Sequence, residues 1–381
     1  MAKIGILTLY HENYNYGGIL QACALCNVLN NMGHECEVLS YSDSFNPVYP
    51  SMTKRIQQYG VVELFKKVKE KVSAKIGSKE FSQIFQQRKT KIEEFKNTHI
   101  PSTTHYNDEL LLKNYSDFDV LISGSDQVWN PNCARKGFLQ MFPHNGIRKV
   151  SYAASISRNS LSEYEKSIML PQINDFDFIS VREKTAKELL AAQGFTDVQV
   201  TIDPTFLLSS SCWETMMSDR VVPEEYALCY FFSDSREYRR YLKSFCDKEG
   251  IKLVHIPYAK QEFNRFDKDG CGEPLFDVGP AEFLSLFKYA KYVFTDSFHG
   301  MAFSIIFKKN FRVLKRDKES KVSMNSRISD LLSTLSLSDR LVDDISAVSN
   351  NSPVNFEGTE NAVKALQSRS IDFLKKSIEM K

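Results

Sequence analysis

An apolar strand that runs directly into an apolar helix is the feature that most constrains this fold. Residues 292–295 are predicted as the strand, and the helix is predicted to begin near His299. In a parallel α/β sheet, such a turn leaves the first backbone N–H groups of the helix unpaired and adds the positive end of its dipole. The turn Asp296-Ser297-Phe298-His299-Gly300 is therefore predicted to bind an anion such as a phosphate or a carboxylate.

His299 is the candidate catalytic residue of this turn. An imidazole can give or take a proton near pH 7, Asp296 or Ser297 can cap the helix, and Gly300 allows another group to approach closely. A structural interpretation, a capped helix with a packed histidine, explains the same residues. Other segments of the chain have to decide between the two.

Strand and helix patterns alternate along most of the chain. The first unit consists of the strand Ile4–Tyr10, the helix Ile19–Met32 and the strand Glu35–Tyr41, and a second run of the same kind begins near Tyr226. This alternation predicts an α/β fold of two Rossmann-like domains that face each other across a cleft. We expect residues 1–210 to form the first domain, 211–345 the second, and 346–381 a tail whose helix packs back on the first.

A Lys-rich and Gln-rich segment at about 50–117 interrupts the alternation. Within it, 60–76 and 79–97 show apolar residues at helical spacing and charges of alternating sign. This pattern favours a helical insert in the first domain over a surface that binds nucleic acid.

Composition narrows the class of protein. The 381 residues are 42% hydrophobic and 25% charged, with a net charge of +2, which is typical of a globular protein and gives no electrostatic reason to expect nucleic acid as a partner. The N-terminal apolar run is too short for a signal peptide, and the eight cysteines are scattered, so we expect a cytoplasmic protein. Cys23 and Cys26 lie in an apolar helical run and are predicted to be buried thiols, and no His or Cys spacing predicts a metal site.

Polar clusters follow the predicted strands. The carboxyl ends of parallel strands meet at one edge of a sheet, so we expect these clusters to face His299 across the cleft. Each cluster taken alone also has a structural explanation as a turn, a cap or a surface ion pair. The clusters are Asn15-Tyr16-Gly17-Gly18, 124–130, Ser155-Ile156-Ser157, and Arg182-Glu183.

Six short motifs, taken in order, resemble the polysaccharide pyruvyl transferase family. They span residues 4 to about 340 and comprise Asn15-Tyr16-Gly17-Gly18-Ile19-Leu20-Gln21, Gly124-Ser125-Asp126-Gln127-Val128-Trp129-Asn130, Ser151-Tyr152-Ala153-Ala154-Ser155, Ser180-Val181-Arg182-Glu183, Ile202-Asp203-Pro204-Thr205 and Thr295-Asp296-Ser297-Phe298-His299-Gly300. The resemblance implies a glycosyltransferase-B-like fold. It also implies transfer of a pyruvyl group from phosphoenolpyruvate to a saccharide as a ketal in polysaccharide biosynthesis, with phosphoenolpyruvate as co-substrate and no other cofactor.

The resemblance also suggests roles for individual residues. The family carries Arg-x-His at the last motif, and here Ser297 stands in place of that arginine, while Arg182 matches a second family arginine. We expect His299, Asp126 and Asp296 to be catalytic, with His299 as proton donor and either carboxylate as base or orienting group. Substrate binding is assigned to Arg182, Ser297, Gly300, Gly17, Gly18, Ser125, Gln127, Trp129, Asn130 and Ser155.

The acceptor is expected to be an oligosaccharide or a lipid-linked saccharide, which would bring the protein transiently to a membrane surface. Trp129, Gln127, Asn130 and Tyr16 are the candidate acceptor contacts because sugars offer apolar ring faces and hydroxyls. Two alternatives stay open. One is a nucleotide-sugar glycosyltransferase, since the same architecture hosts that function. The other is a non-catalytic saccharide-binding protein, because Ser297 stands in place of the family arginine. The oligomeric state does not follow from the sequence.

Overall fold

Two parallel sheets with helices on their faces make up the protein. The computed structural model describes residues 1–51, 53, 79–233, 236–257, 272–316, 326–343 and 352–379. The first sheet contains β1 (Lys3–Leu7), β2 (Glu35–Tyr41), β3 (Ser102–Tyr106), β4 (Val120–Ser123), β5 (Arg148–Ala154), β6 (Phe178–Val181) and β7 (Val198–Val200). The second contains β8 (Tyr226–Tyr230), β9 (Lys252–His255), β10 (Glu273–Pro274), β11 (Tyr292–Thr295), β12 (Asn310–Leu314) and β13 (Leu341–Val342).

The helices lie between these strands in the chain, except for the last one, which follows β13. They are α1 (Tyr16–Asn31), α2 (Lys79–His99), α3 (Asp108–Asn114), α4 (Glu163–Ile173), α5 (Lys184–Ala191), α6 (Ser210–Glu214), α7 (Arg236–Glu249), α8 (Pro280–Tyr289), α9 (Phe298–Ile306), α10 (Ser326–Thr334) and α11 (Glu357–Ile378). No helix within the described ranges has both the length and the apolar run that a membrane span requires.

Both sheets have the same topology. The first runs β3-β2-β1-β4-β5-β6-β7 and the second β10-β9-β8-β11-β12-β13, and neighbouring strands pair in parallel. In each sheet the strand order reverses direction beside the first strand, between β1 and β4 and between β8 and β11. Ligands of doubly wound folds bind at this reversal, outside the carboxyl ends of the strands. The predicted fold class is confirmed, and the turn that carries His299 follows β11 at such a point.

Local sequence explains the main elements. The four residues of β4 are buried, as expected of a central strand covered by helices on both faces. Helix α1 begins where the Asn15 side chain accepts a hydrogen bond from the Gly17 amide. Helix α4 begins with a capping box formed by Ser162 and Glu165.

The prediction of a helical insert at about 50–117 was only partly correct. Residues 79–97 are helical as predicted, and 60–76 lie outside the described residues. Residues 102–106, also assigned to the insert, instead form β3, which pairs with β2 at the edge of the first sheet. The run Ser102-Thr103-Thr104-His105-Tyr106 contains few apolar residues, so its β-branched threonines signal an edge strand only weakly.

The two domains pack closely against each other. The Tyr16 ring, at the start of α1, stacks on Phe283 of α8 with centroids 4.8 Å apart, and its hydroxyl donates to the Val278 carbonyl at 2.7 Å. Arg88 of α2 donates to the carbonyls of Pro257 and Phe276 at 2.9 and 2.8 Å. Tyr16, predicted as an acceptor contact, is thus buried between the domains.

Helix α11 returns to the first domain after the second sheet is complete. The Ser370 hydroxyl accepts a hydrogen bond from the Ile202 amide at 2.9 Å, and Arg148 donates to the Ser377 carbonyl at 3.1 Å. Its Phe373 lies near Tyr152 of β5. The chain therefore crosses twice between the domains, once after β7 and once before α11.

Candidate functional site

His299 lies in the first turn of α9 and is 6% exposed. Ser297 is the N-cap, and its hydroxyl accepts a hydrogen bond from the Gly300 amide at 3.3 Å. A Cβ at Gly300 would lie 3.0 Å from Thr295 Cβ and closer still to Thr295 Oγ1. The cap and the glycine thus let the helix start immediately after β11, so His299 follows the strand by only four residues.

Gly17 makes room for His299 across the domain boundary. A Cβ on Gly17 would lie 2.7 Å from His299 Cε1 and closer still to Cγ and Nδ1. The imidazole therefore packs directly against the start of α1, and the amino-terminal ends of α1 and α9 converge on one place. Gly17 was predicted to bind substrate. The structure instead shows that its missing side chain accommodates the histidine, while a Cβ on Gly18 would meet the Asn13 side chain.

A carboxylate of the fifth sequence motif, to which no role was assigned, connects the predicted residues. Asp203, after β7, accepts hydrogen bonds from Arg182 Nη1 at 2.8 Å and from Ser125 Oγ at 3.0 Å. Its Oδ2 atom lies 3.6 Å from His299 Nε2. Burial alone would raise the pKa of Asp203, but the neighbouring His299 and Arg182 lower it well below its ordinary value. Asp203 is therefore the ionised partner that Arg182 and His299 share.

Arg182 is buried at the carboxyl end of β6. Its Nη2 atom lies 3.8 Å from Asp126 Oδ1, its Nε lies 4.0 Å from Glu183 Oε2, and its guanidinium lies 4.3 Å from the Phe298 ring centroid. Burial lowers the pKa of Arg182, but the three carboxylates of Asp203, Asp126 and Glu183 outweigh it and raise that pKa. Arg182 Nε and Nη2 have no hydrogen-bond partner among the described residues.

Three non-glycine residues near Arg182 have a strained backbone. Asp126, Ala153 and Ser157 have positive φ angles of 72°, 49° and 54°, a region that non-glycine residues seldom adopt. Asp126 also forms an isolated parallel bridge with Ala154, which holds the loop after β4 against the end of β5. Strain of this kind persists only where the surroundings impose it, and it is common at functional sites.

The second domain contributes a cation that the sequence did not reveal. Arg327, in the first turn of α10, is 6% exposed, and its Nη1 lies 3.5 Å from Ser157 Oγ and 4.0 Å from Asp126 Oδ1. Burial and the nearby Arg182 lower the pKa of Arg327 to about 10. No motif marks this residue, because its neighbours belong to the other domain and lie more than a hundred residues away in the chain.

Several predicted site residues have structural roles instead. Trp129 is fully buried, donates to the Phe138 carbonyl at 3.3 Å and contacts Phe176, so its predicted role as a sugar platform is wrong. Ser155 donates to Glu183 at 2.9 Å and supports the loop from within. Both residues are fully buried, so neither side chain has the exposed face that a ligand would need.

Asp296 also has a structural role in place of the predicted catalytic one. Its two carboxylate oxygens accept hydrogen bonds from the amides of Phe232 and Ser233 at 2.8 and 2.9 Å, and Arg316 Nε lies 3.5 Å from one of them. Asp296 therefore holds the loop after β8, and the interpretation of it as a catalytic base or as the group that orients His299 is wrong. Asp203 lies where that orienting group was expected.

The remaining predicted residues lie around Asp126. Asn130 is buried and donates to the side chain of the half-buried Gln127 at 3.1 Å. Ser125 donates to Asp203 and thereby joins the loop after β4 to Arg182. The structure thus brings Ser125, Asp126, Arg182 and His299 into one cluster around Asp203.

This cluster has the character of an anion site. His299 Nε2 and Arg327 Nε, like the two Arg182 atoms, have no hydrogen-bond partner within the described part of the chain, although all three side chains are buried. Buried donors normally have partners, and charge-assisted bonds to a phosphate or carboxylate would satisfy these. No group of three or more potential metal ligands occurs within the described residues.

A cavity of about 170 Å³ adjoins the cluster. Arg182, Asp203 and Phe298 line one side of it, and α10 and α11 supply Leu331 and Leu366 on the other. A cavity of about 150 Å³ accommodates a ligand the size of benzene. The space beside Arg182 is therefore sufficient for a three-carbon ligand.

Comparison with known proteins decides the family. The sequence model of the polysaccharide pyruvyl transferase family matches residues 15–318, which is most of the chain. The chain belongs to this family. The comparison with curated proteins found no significant match.

Solved structures share the architecture of this pyruvyl transferase family member. A UDP-N-acetylglucosamine 2-epimerase from Rickettsia bellii aligns with a TM-score of 0.53 at 9% identity, covering 99% of this chain and 97% of that one. A candidate UDP-N-acetylglucosamine 2-epimerase from Listeria monocytogenes gives 0.53 at 12% identity, covering 99% and 90%. These similarities establish the fold, a glycosyltransferase-B-like pair of Rossmann-like domains, as the sequence motifs implied.

Proposed function

We propose that this protein transfers a pyruvyl group from phosphoenolpyruvate to two hydroxyls of a saccharide, forming a ketal and releasing phosphate. The observation that carries the proposal is the buried donor set of Arg182 and His299, which faces ionised Asp203 where two helices begin. Phosphoenolpyruvate carries both a phosphate and a carboxylate, the two anions that such donors bind best. The 170 Å³ cavity beside Arg182 offers room for its three carbons.

The first step is delivery of a proton. Asp203 Oδ2 lies 3.6 Å from His299 Nε2, close enough for the carboxylate to orient the ring. His299 then gives its proton to the methylene carbon of the enol phosphate, which becomes a methyl group. Positive charge develops on the adjacent carbon and its ester oxygen, while Arg182 holds the phosphate.

In the second step the sugar becomes bonded to the electron-poor carbon of the pyruvyl group. One hydroxyl attacks the electron-poor carbon and gives its proton to Asp126, which lies 3.8 Å from Arg182. The bond between that carbon and the ester oxygen breaks, and the electron pair leaves with phosphate. The second hydroxyl closes the ketal and returns a proton to His299, and Asp126 passes its proton to the departing phosphate. The products are the ketal and inorganic phosphate, and no oxidant or reductant is consumed.

The acceptor and the compartment complete the proposal. The half-buried Gln127 and the exposed edge of the cleft are the remaining candidates for saccharide contacts, since Trp129 and Tyr16 are buried. The buried thiols Cys23 and Cys26 fit a reducing cytoplasm. A lipid-linked acceptor would bring the protein to the inner face of a membrane.

A phosphate-release assay with phosphoenolpyruvate and a panel of free and lipid-linked saccharides tests the proposal. We expect acceptor-dependent release that His299→Ala and Arg182→Ala abolish. His144→Ala is the matched control, because His144 also lies beside aspartates but is 39% exposed and remote from the cluster. Release that survives His299→Ala unchanged would refute the mechanism. Turnover of a nucleotide sugar in its place would instead identify a glycosyltransferase.

A further inference from the structure

Helix α10 belongs to the second domain in the chain but caps a helix of the first. Asp330 Oδ2 accepts hydrogen bonds from the Thr185 amide at 3.0 Å and from the Thr185 hydroxyl at 2.8 Å. Thr185 lies in the first turn of α5, whose own N-cap residue, Glu183, makes no capping hydrogen bond. Glu183 Oε1 accepts from Ser155 Oγ and Ser157 N instead. Asp330 therefore supplies across the domain boundary the cap that α5 lacks.

Arg327 and Asp330 lie three residues apart and so share one face of α10. The same docking that places Asp330 on α5 places the Arg327 guanidinium among residues of the first domain. There it lies 3.5 Å from Ser157 Oγ and 4.0 Å from Asp126 Oδ1. Arg182 and Arg327 both approach the Phe298 ring, at 4.3 and 6.0 Å from its centroid.

The surroundings of Arg327 leave its charge incompletely compensated. Asp126 Oδ1 lies 4.0 Å from Arg327 Nη1, beyond hydrogen-bond distance, and is shared with Arg182. The positive charge of Arg182 repels that of Arg327. Arg327 Nε has no partner among the described residues. A buried guanidinium in this position is costly unless an anion joins it. An anion placed between Arg182 and Arg327 would satisfy both.

We propose that Arg327 is a second anion-binding residue of the donor site and that Asp330 positions it by docking α10 onto α5. The inference rests on the proposed function for the identity of the anion, phosphoenolpyruvate, but the anion site itself rests on the geometry alone. Because Arg182 comes from the first domain and Arg327 from the second, the site is complete only when the two domains are docked through Thr185 and Asp330.

Direct binding of inorganic phosphate and of phosphoenolpyruvate, measured by calorimetry on the full-length chain, tests this. We expect Arg327→Met to weaken both roughly 10- to 100-fold, the loss typical of a charge-assisted hydrogen bond, and Arg327→Lys to weaken them less. Arg340→Met is the matched control, because Arg340 is equally buried in the same domain but contacts Asp339 and Ser352. Circular dichroism confirms that each variant folds.

A double-mutant cycle separates positioning from mere stability. Asp330→Ala should weaken phosphate binding in the wild-type background but cause no further loss when Arg327 is already Met, since Asp330 acts through Arg327. Equal losses in both backgrounds would show that Asp330 only stabilises the fold and would overturn its positioning role.

The outcomes also distinguish the two proposals. If Arg327→Met leaves both affinities unchanged while Arg182→Met weakens them, the inference fails and the donor proposal survives. If phosphate binding depends on Arg327 but phosphoenolpyruvate does not bind, the anion site stands and the proposed donor is wrong. If neither anion binds the folded wild-type protein, both fail.

Discussion

Replacing Gly17 with alanine should displace the His299 side chain while leaving the histidine itself unchanged. The new Cβ would lie 2.7 Å from His299 Cε1, and that atom alone must retreat by 0.7 Å to reach the 3.4 Å at which ordinary contact begins. Cγ and Nδ1 would lie closer still. Because Cγ is bonded to the histidine's own Cβ, rotation of the ring about its axis cannot relieve the contact. The whole side chain has to move.

The expected effect on catalysis is large. A displacement of roughly 1 Å at a reacting group costs about 100-fold in rate, or about 2.7 kcal/mol. We therefore expect kcat/KM for acceptor-dependent phosphate release to fall about 100-fold in Gly17→Ala. Phosphoenolpyruvate binding should fall less, because the three atoms nearest to a Cβ at Gly17 all belong to His299 and none to Arg182 or Arg327.

Gly358→Ala provides a matched control. Gly358, like Gly17, is the second residue of a helix, and a Cβ there meets nothing within 4 Å. Because a Cβ at Gly358 disturbs no neighbour, this variant should keep full activity. Wild-type kcat/KM in Gly17→Ala would refute the reasoning.

Three further predictions concern Asp203 and Trp129. Asp203→Asn removes a carboxylate that Arg182 and His299 both face, so chemical denaturation should show a loss of about 3–5 kcal/mol in unfolding free energy; an unchanged midpoint would contradict this. The pKa of Asp203 is lower in the folded protein than in the unfolded chain. Its contribution to the free energy of unfolding is therefore complete above the ordinary pKa of 3.8 and fades as the pH falls toward the pKa of the folded state. The difference in stability between wild type and Asp203→Asn should narrow in acid, and a difference that widens below pH 3.8 would argue against an ionised Asp203. Trp129→Ala should cost about 3–5 kcal/mol of stability because the ring is fully buried, whereas Trp129→Phe, if folded, should leave acceptor KM unchanged; a selective rise in that KM would restore its predicted role in sugar binding.

Sequence reasoning placed most of the framework correctly. The strands Glu35–Tyr41 and Tyr292–Thr295 have the predicted bounds, because an apolar pattern is a local property of the sequence. Edge strand β3 escaped prediction because its residues lack that periodicity. Helix α1 begins three residues earlier than expected because Asn15 caps it before the apolar run starts.

The sequence alone determined that Arg182 and His299 would each lie at the carboxyl edge of their own sheet, because each directly follows a parallel strand and such strands end at one edge. Only the tertiary structure decided what surrounds them. Asp203 joins the two, Gly17 accommodates the imidazole, Arg327 adds a second cation, and Trp129 turns into the core. These relationships arise where the domains pack or a loop folds inward, between residues far apart in the chain. No local pattern of side chains predicts which residues face each other at the domain boundary or inside the folded loop.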